Sequence, residues 1–266
     1  MIPLRTDLEI DAIGEAGAVL AGLFEAIGPR IGPGVSTKTL DRFAEHFIRS
    51  HKGAVPSFKG LYGFPASLCT SINEEVVHGI PSARRVLADG DIISVDAGVK
   101  LEGWCADRAV TYPVGEIDPA VRNLLDVTRS SLEAGIQQAR PGNRVGDIGA
   151  AIQAVAEGAG MSVVRELVGH GVGRDPHEEP QVPNYGRKGT GLRLLAGLVI
   201  AIEPMVNQGT AAIRTLGDRW TVVTADGLRS GHFEHTVAVT AQGPRILTGS
   251  GTRVGGSTPR PLGGSA

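Results

Sequence analysis

Ile92-Ile93-Ser94-Val95-Asp96-Ala97-Gly98 and, beyond Leu101-Glu102-Gly103 and Asp107, Ala109-Val110-Thr111-Tyr112-Pro113 set the architecture of this chain. Both runs have the β-branched, apolar character of sheet strands. The first carries Asp96, a carboxylate that is costly to bury without a partner. A hairpin centred between Leu101 and Glu102 places Asp96 directly opposite Asp107. Cross-strand partners have Cβ atoms about 5 Å apart, where like charges repel. A cation between them removes the conflict. Taken singly, each aspartate reads as a turn or salt-bridged residue; the pair points to a metal.

Further along, Glu203 closes the apolar run Leu198-Val199-Ile200-Ala201-Ile202 and is followed by Pro204, so it belongs at the edge of a buried strand. Glu234 lies in Gly231-His232-Phe233-Glu234-His235-Thr236-Val237, where alternation puts His232, Glu234 and Thr236 on one face. Four carboxylates in or beside strands are hard to explain as core residues. His170 stands in Gly169-His170-Gly171-Val172-Gly173, whose small residues allow close backbone approach and leave the imidazole accessible. One histidine with four carboxylates makes an oxygen-rich site for Mn, Fe, Co or Zn, and a pair of such ions sits about 3.5 to 4 Å apart. A structural zinc would favour cysteines. His78 and His177 read equally as site residues and as hydrogen-bonding loop residues, whereas His46 and His51 fall on the solvated side or end of a helix.

Around these strands the periodicity predicts helices. Leu8, Ile10, Ile13, Val19, Leu20, Leu23, Phe24 and Ile27 recur at helical spacing up to Gly28-Pro29. A second helix starts at Ser36 or Thr37, buries Leu40, Phe43, Phe47 and Ile48, and ends near Gly53. Asp118-Pro119 opens a third, to about Gln138, and a fourth runs from about Val145 to Glu157. Strands are expected again at Ser162 to Val168, Leu198 to Ile202, Trp220 to Thr224 and Phe233 to Val239. The order helices, strands, helices, strands predicts one α+β domain of two similar halves over residues 1–241, then a flexible Gly/Ser/Pro-rich tail over 242–266.

Composition narrows the function classes. The 266 residues are 41% hydrophobic and 20% charged, ordinary for a folded soluble protein, with a formal net charge of -2 that gives no footprint for nucleic acid. Cys69 and Cys105 form neither a disulfide framework nor a C-x-x-C pair, which fits a reducing cytoplasm. The apolar stretch Ala16 to Ile27 is preceded by Asp7, Glu9, Asp11 and Glu15 where a signal peptide would be basic, and no run reaches membrane-spanning length. The glycines near His170 open no phosphate-binding loop.

At these residues the chain resembles the type I methionine aminopeptidases of peptidase family M24. The resemblance rests on Ser71 to Pro81 with His78, on Asp96 with Asp107, on Gly169 to Gly173 through His177-Glu178-Glu179-Pro180, on Ile202-Glu203-Pro204-Met205 and on Glu234-His235-Thr236, and spans about Leu8 to Thr240. It implies the pita-bread (creatinase/aminopeptidase) fold, with pseudo-two-fold halves and a central antiparallel sheet flanked by helices. It also implies removal of the initiator methionine from nascent proteins by water activated at a dinuclear site. There Asp96 and Asp107 hold one divalent ion, His170 and Glu203 mainly the other, and Asp107 and Glu234 bridge both. Glu203 resembles the general base, His177 the group facing the carbonyl oxygen, and His78 the group at the peptide nitrogen, while the free α-amino group binds metal. The methionine pocket implied comprises Phe58, Leu61, Phe64, Cys69, Pro176 and Trp220, with Phe58, Leu61 and Pro176 standing where better-known bacterial enzymes carry cysteine, tyrosine and phenylalanine. A cytoplasmic monomer, touching the ribosome transiently and neither membrane nor nucleic acid, completes the expectation. The competing readings are an Xaa-Pro aminopeptidase or dipeptidase, whose relatives usually carry an extra N-terminal domain, and a catalytically inactive pita-bread binding module.

Overall fold

Thr6 opens the first helix with a capping box: its hydroxyl accepts from Glu9 N at 3.3 Å and the Glu9 carboxylate accepts from Thr6 N at 2.9 Å. This structure is a computed structural model describing residues 2–249. Helix α1 (Asp7–Ile27) buries Ile10, Ile13, Val19, Leu20, Leu23, Phe24 and Ile27, as its periodicity predicts, but leaves Leu8 of its first turn exposed to solvent. Helix α2 (Thr37–Arg49) is capped by Ser36. Its buried face is Thr37, Leu40, Asp41, Ala44 and Ile48, while Phe43 and Phe47 are only half-buried. Asp41 explains the shift. Its buried carboxylate accepts from Ser67 N at 2.8 Å and Leu68 N at 3.1 Å and pairs with Lys38, turning that face toward the next segment.

The strands that follow are β1 (Ala54–Pro56), β2 (Leu68–Ile72), β3 (Glu75–Val77), β4 (Ile92–Leu101) and β5 (Trp104–Pro113). The hairpin between β4 and β5 turns at Glu102-Gly103, one residue later than expected, with φ of 48° and 84°. Two successive positive φ values match the right-handed twist of the strands, and the glycine lets the second residue adopt one freely. Asp96 therefore pairs with Ala109, and Asp107 with Gly98. The two aspartates are diagonal neighbours on one face, not direct partners.

Helices α3 (Pro119–Gln138) and α4 (Val145–Gly158) have the expected bounds. The remaining strands are β6 (Ser162–Val163), β7 (Gly169–Gly171), β8 (Glu178–Val182), β9 (Val199–Ile202), β10 (Met205–Asn207), β11 (Ile213–Thr215), β12 (Val222–Thr224), β13 (Ser230–His232), β14 (His235–Thr240) and β15 (Gly243–Ile246). Among the described residues every strand pairing is antiparallel, and the strands fall in four sheets: β5 and the β1-β4-β2 path, β13-β10-β6, β11-β12-β3, and β15-β14-β9-β7-β8. One apolar core lies among α1, α2 and β4–β5, and a second among α3, α4, β9 and β14.

Three predicted strands are shorter than expected. The run from Ser162 stops at Val163 because the consecutive exposed residues Arg165 and Glu166 break the alternation. Trp220 and Thr221 lie in a turn instead, both amides donating to the Asp218 carboxylate at 2.9 Å. The run through Glu234 is split at Phe233-Glu234, opposite the Glu203-Pro204 break between β9 and β10. Pro204 has no amide hydrogen to continue a ladder, so both chains step together from one sheet to the next.

The stretch expected to begin a tail instead completes the domain. Gly243–Ile246 pairs along β14, and Leu247 and Thr248 are fully buried. Gly17 makes this possible, since a Cβ there would overlap the Leu247 carbonyl. The rest of the expected tail, residues 250–266, lies outside the described residues.

Candidate active site

The two facing strand breaks hold Glu203 and Glu234 at the junction of the sheets, while β4 and β5 bring Asp96 and Asp107 to the same place. His170 is the middle residue of β7, between glycines that cannot be replaced: a Cβ at Gly169 would overlap the Ala201 carbonyl and one at Gly171 the Glu179 carbonyl. This tight seating puts His170 Nε2 3.3 Å from Glu203 Oε1. The opposite nitrogen, Nδ1, lies 3.0 Å from the Gly171 carbonyl oxygen. A carbonyl only accepts, so Nδ1 carries the proton and Nε2 presents its lone pair to the centre.

Ligand atoms converge in three overlapping sets, each within 4.8 Å: Asp96, Asp107 and Glu234; His170, Glu203 and Glu234; and Asp107, His170 and His177. All five residues expected as ligands thus meet in one place. Asp96 Oδ1 and Glu234 Oε1 are buried with no hydrogen-bond partner among the described residues. Burial, with the neighbouring carboxylates, pushes Asp107, Glu203 and Glu234 well above the ordinary carboxylate range, and burial raises Asp96 to about 7. Burial lowers His170 to about 4, so it is neutral and able to ligate. Orphaned buried oxygens, mutual repulsion and a neutral imidazole all fit divalent cations.

His177 meets the His170 ring edge-on at 4.5 Å between centroids, and Tyr62 stacks on it at 6.1 Å and 8°. His78 has a left-handed backbone, φ 61°, and lies edge-on to Trp220 at 6.4 Å; burial lowers its pKa. Sequence reasoning gave His232 no role although it put that residue on one face with Glu234. It is 2% exposed, its Nε2 lies 3.8 Å from Glu203 Oε2, and neither ring nitrogen has a hydrogen-bond partner. Shared alternation with a ligand was the available signal.

A cavity of about 560 Å³ opens onto these residues. Phe58, Leu61, Phe64, Cys69 and Trp220 line it as expected, joined by Tyr62, Val77, Leu167 and Met205. Phe64 and Trp220 pack edge-to-face at 5.1 Å and 73°. Gly98, opposite Asp107, makes room for the pocket wall, because a Cβ there would overlap Ser57 and come 2.8 Å from the Phe58 ring. Pro176 is absent from the lining: the turn that carries it presents His177 to the cavity instead.

A carboxylate-rich set of candidate metal ligands at the junction of antiparallel sheets, facing an apolar cavity, fits a metal-dependent hydrolase. Residues 11–241 match metallopeptidase family M24, and the chain belongs to that family. It is 54% identical to methionine aminopeptidase 1 of Bacillus subtilis, over 93% of this chain and 99% of that one. The crystal structure of methionine aminopeptidase from Thermotoga maritima superposes with a TM-score of 0.92 at 43% identity, covering 94% of this chain and 100% of that chain. An Xaa-Pro dipeptidase from Bacillus anthracis shares the pita-bread fold at a TM-score of 0.72 and 23% identity, with 92% of this chain matching only 61% of that longer one.

Proposed function

We propose that this metallopeptidase removes the initiator methionine from nascent proteins and peptides. The observation that carries the proposal is the convergence of Asp96, Asp107, His170, Glu203 and Glu234 beside an apolar cavity, in a chain so similar to methionine aminopeptidases. Two divalent ions, drawn from Mn, Fe, Co and Zn, fit the donor set: Asp96 and Asp107 for one, His170 and Glu203 mainly for the other, with Asp107 and Glu234 shared. When bound, such ions supply Lewis acidity and bring the pKa of water toward neutrality.

The chain's own residues do the rest. Glu203, flanked by His170 and His232, acts as general base, taking a proton from the attacking water and giving it to the leaving amine. His177 on the cavity wall donates a hydrogen bond to the carbonyl oxygen as charge develops there. His78, held by its unusual backbone, faces the peptide nitrogen. Phe58, Leu61, Phe64, Cys69 and Trp220 receive the side chain, and an unbranched thioether suits such an apolar, partly aromatic wall.

We infer a monomer acting in the cytoplasm, touching the ribosome transiently, because initiator methionines appear where chains are made. Among the described residues no helix is long and apolar enough to cross a membrane.

The test is release of methionine from Met-Ala-Ser and Met-Pro peptides, with Ala-Pro peptides as controls, after chelation and re-addition of Mn, Fe, Co or Zn. Metal-restored cleavage confined to N-terminal methionine is expected. Cleavage before proline whatever the first residue would replace the proposal with a proline-specific peptidase, and no cleavage with any metal would replace it with a binding module.

A further inference from the structure

The ring of His177 makes no hydrogen bond to any described residue; it meets the rings of His170 and Tyr62 and has a ring nitrogen within 4.8 Å of an Asp107 carboxylate oxygen. Its position therefore rests on the backbone turn from Gly173 to Glu178. That turn is closed by Glu178, whose Oε1 accepts from Arg174 N at 2.8 Å and Asp175 N at 3.2 Å. The other carboxylate oxygen is ion-paired with Arg5, from the segment just before α1, and both side chains are largely buried, at 11% and 15% exposure. Arg5 is anchored in turn: its amide donates to the Gly197 carbonyl at 2.7 Å, and its guanidinium lies 5.3 Å from the Trp104 ring centre. Arg174, inside the turn, stacks on the same indole at 3.6 Å. Gly173 is the residue the pair sits on, since a Cβ there would overlap the Arg5 guanidinium and come 2.6 Å from Glu178 Oε1. Cys105 N, on β5, holds the start of the turn through the Gly173 carbonyl at 2.8 Å.

We propose that Arg5 and Glu178 are positioning residues for His177, so that the segment before the first helix belongs to the catalytic apparatus. Resting on the aminopeptidase assignment and on the role given there to His177, the inference adds what holds that imidazole. A buried carboxylate bonded to two turn amides and to a guanidinium from a separately anchored segment gives the turn one geometry. Loss of the guanidinium frees the carboxylate, and the turn loses its link to the N-terminal segment. Misplacement of a group facing the reacting carbonyl by about 1 Å can cost up to roughly a hundredfold in rate.

The experiment uses the full chain loaded with Mn(II) and compares wild type with R5A, R5K, E178Q, H177A and the R5A/H177A double variant. Circular dichroism and thermal unfolding establish that each is folded. R5A is expected to lower kcat on Met-Ala-Ser about tenfold or more, with KM and Mn(II) affinity within roughly twofold, the signature of an interaction realised in the transition state. R5K recovers most of the loss, E178Q resembles R5A, and R5A adds little in the H177A background. Wild-type kcat in R5A, an equal loss in the H177A background, or a fall in Mn(II) affinity that tracks kcat would overturn the inference. Imidazole NMR signals, recorded on the diamagnetic Zn(II)-loaded chain, separate it from the assignment it rests on. If wild type cleaves no methionine peptide, that assignment fails, while positioning is still read from whether R5A shifts the His177 resonances and leaves those of His78 in place. Unmoved His177 resonances overturn it.

Discussion

The hydroxyl of Thr236 accepts the amide hydrogen of Asp107 at 2.9 Å and donates back to the Asp107 carbonyl at 2.9 Å. A side chain of β14 thus takes the place of a strand residue beside β5. The converse contact lies four residues along each strand: Thr111 of β5 accepts from His232 N at 2.8 Å and donates to the His232 carbonyl at 2.8 Å. Glu234 N donates to the Ala109 carbonyl at 2.9 Å between them. The seam between sheets runs through Asp107 and Glu234, two of the candidate ligands. Thr236→Val leaves two buried backbone groups of Asp107 without partners, a cost of about 2 kcal/mol or more. We expect that loss in urea unfolding together with weaker Mn(II) binding, and recovery of both in Thr236→Ser. Unaltered Mn(II) affinity in Thr236→Val would show that the seam does not set the ligand position.

Without metal, burial holds Asp96 up to about 7 and Asp107, Glu203 and Glu234 well above the usual carboxylate range. A cation must displace those protons, so affinity rises as pH increases through neutrality and protons are released on binding. Calorimetry with Mn(II) in buffers of different ionisation enthalpy measures that release. Equal affinity from about pH 6 to about pH 8 would contradict it.

Glu234→Gln removes one of four crowded carboxylates, and Glu234 Oε1 has no hydrogen-bond partner to lose. The metal-free variant is expected to melt no lower than metal-free wild type, while the stabilisation that saturating Mn(II) confers on wild type shrinks or disappears. Equal metal-induced shifts in melting temperature for the two proteins would remove Glu234 from the ligand set.

His235 is half-buried beside Arg108, its Nδ1 2.8 Å from Thr248 Oγ1, and desolvation lowers its pKa to about 3 from 6.5. The unfolded chain takes up that proton below 6.5 and the folded chain does not, so this residue's contribution to stability is full above 6.5 and is lost as pH falls toward 3. Replacing it by glutamine should reduce the pH slope of stability by about one proton, roughly 1.4 kcal/mol per pH unit, between about pH 6 and 4. Denaturant titrations of both proteins over that range measure the difference; parallel curves would mean that His235 takes up its proton in the folded state.

Gly98→Ala places a Cβ against Ser57 and the Phe58 ring at the pocket wall. The wall must shift into the cavity, so KM for methionine peptides should rise several-fold with a smaller change in kcat. Steady-state kinetics on Met-Ala-Ser decide it, and an unchanged KM would place the methionine side chain elsewhere.

Much of this was legible in the sequence because its causes are local. A capping hydroxyl, Asp118-Pro119 and the apolar periodicity are contained within a few residues, and they set the helices. Four of the five candidate ligands showed themselves as carboxylates where strands should be apolar, a conflict visible without coordinates. The hairpin register was one residue off because Glu102-Gly103 and Leu101-Glu102 are equally short turns on paper, and only backbone φ separates them. Asp41 was overlooked as a buried residue because its partners, Ser67 and Leu68, lie on another element.

By itself, then, the sequence determined the helices, most of the strands and the five candidate ligand residues, since each depends on residue type and spacing along the chain. Tertiary structure alone decided the diagonal placement of Asp96 and Asp107, the paired strand breaks at Glu203 and Glu234, the approach of His232 and the burial of Leu247 and Thr248. Each of these depends on which distant backbone lies alongside. No residue type announces its cross-strand partner, and the room that Gly17, Gly98 and Gly173 leave becomes visible only when another segment fills it.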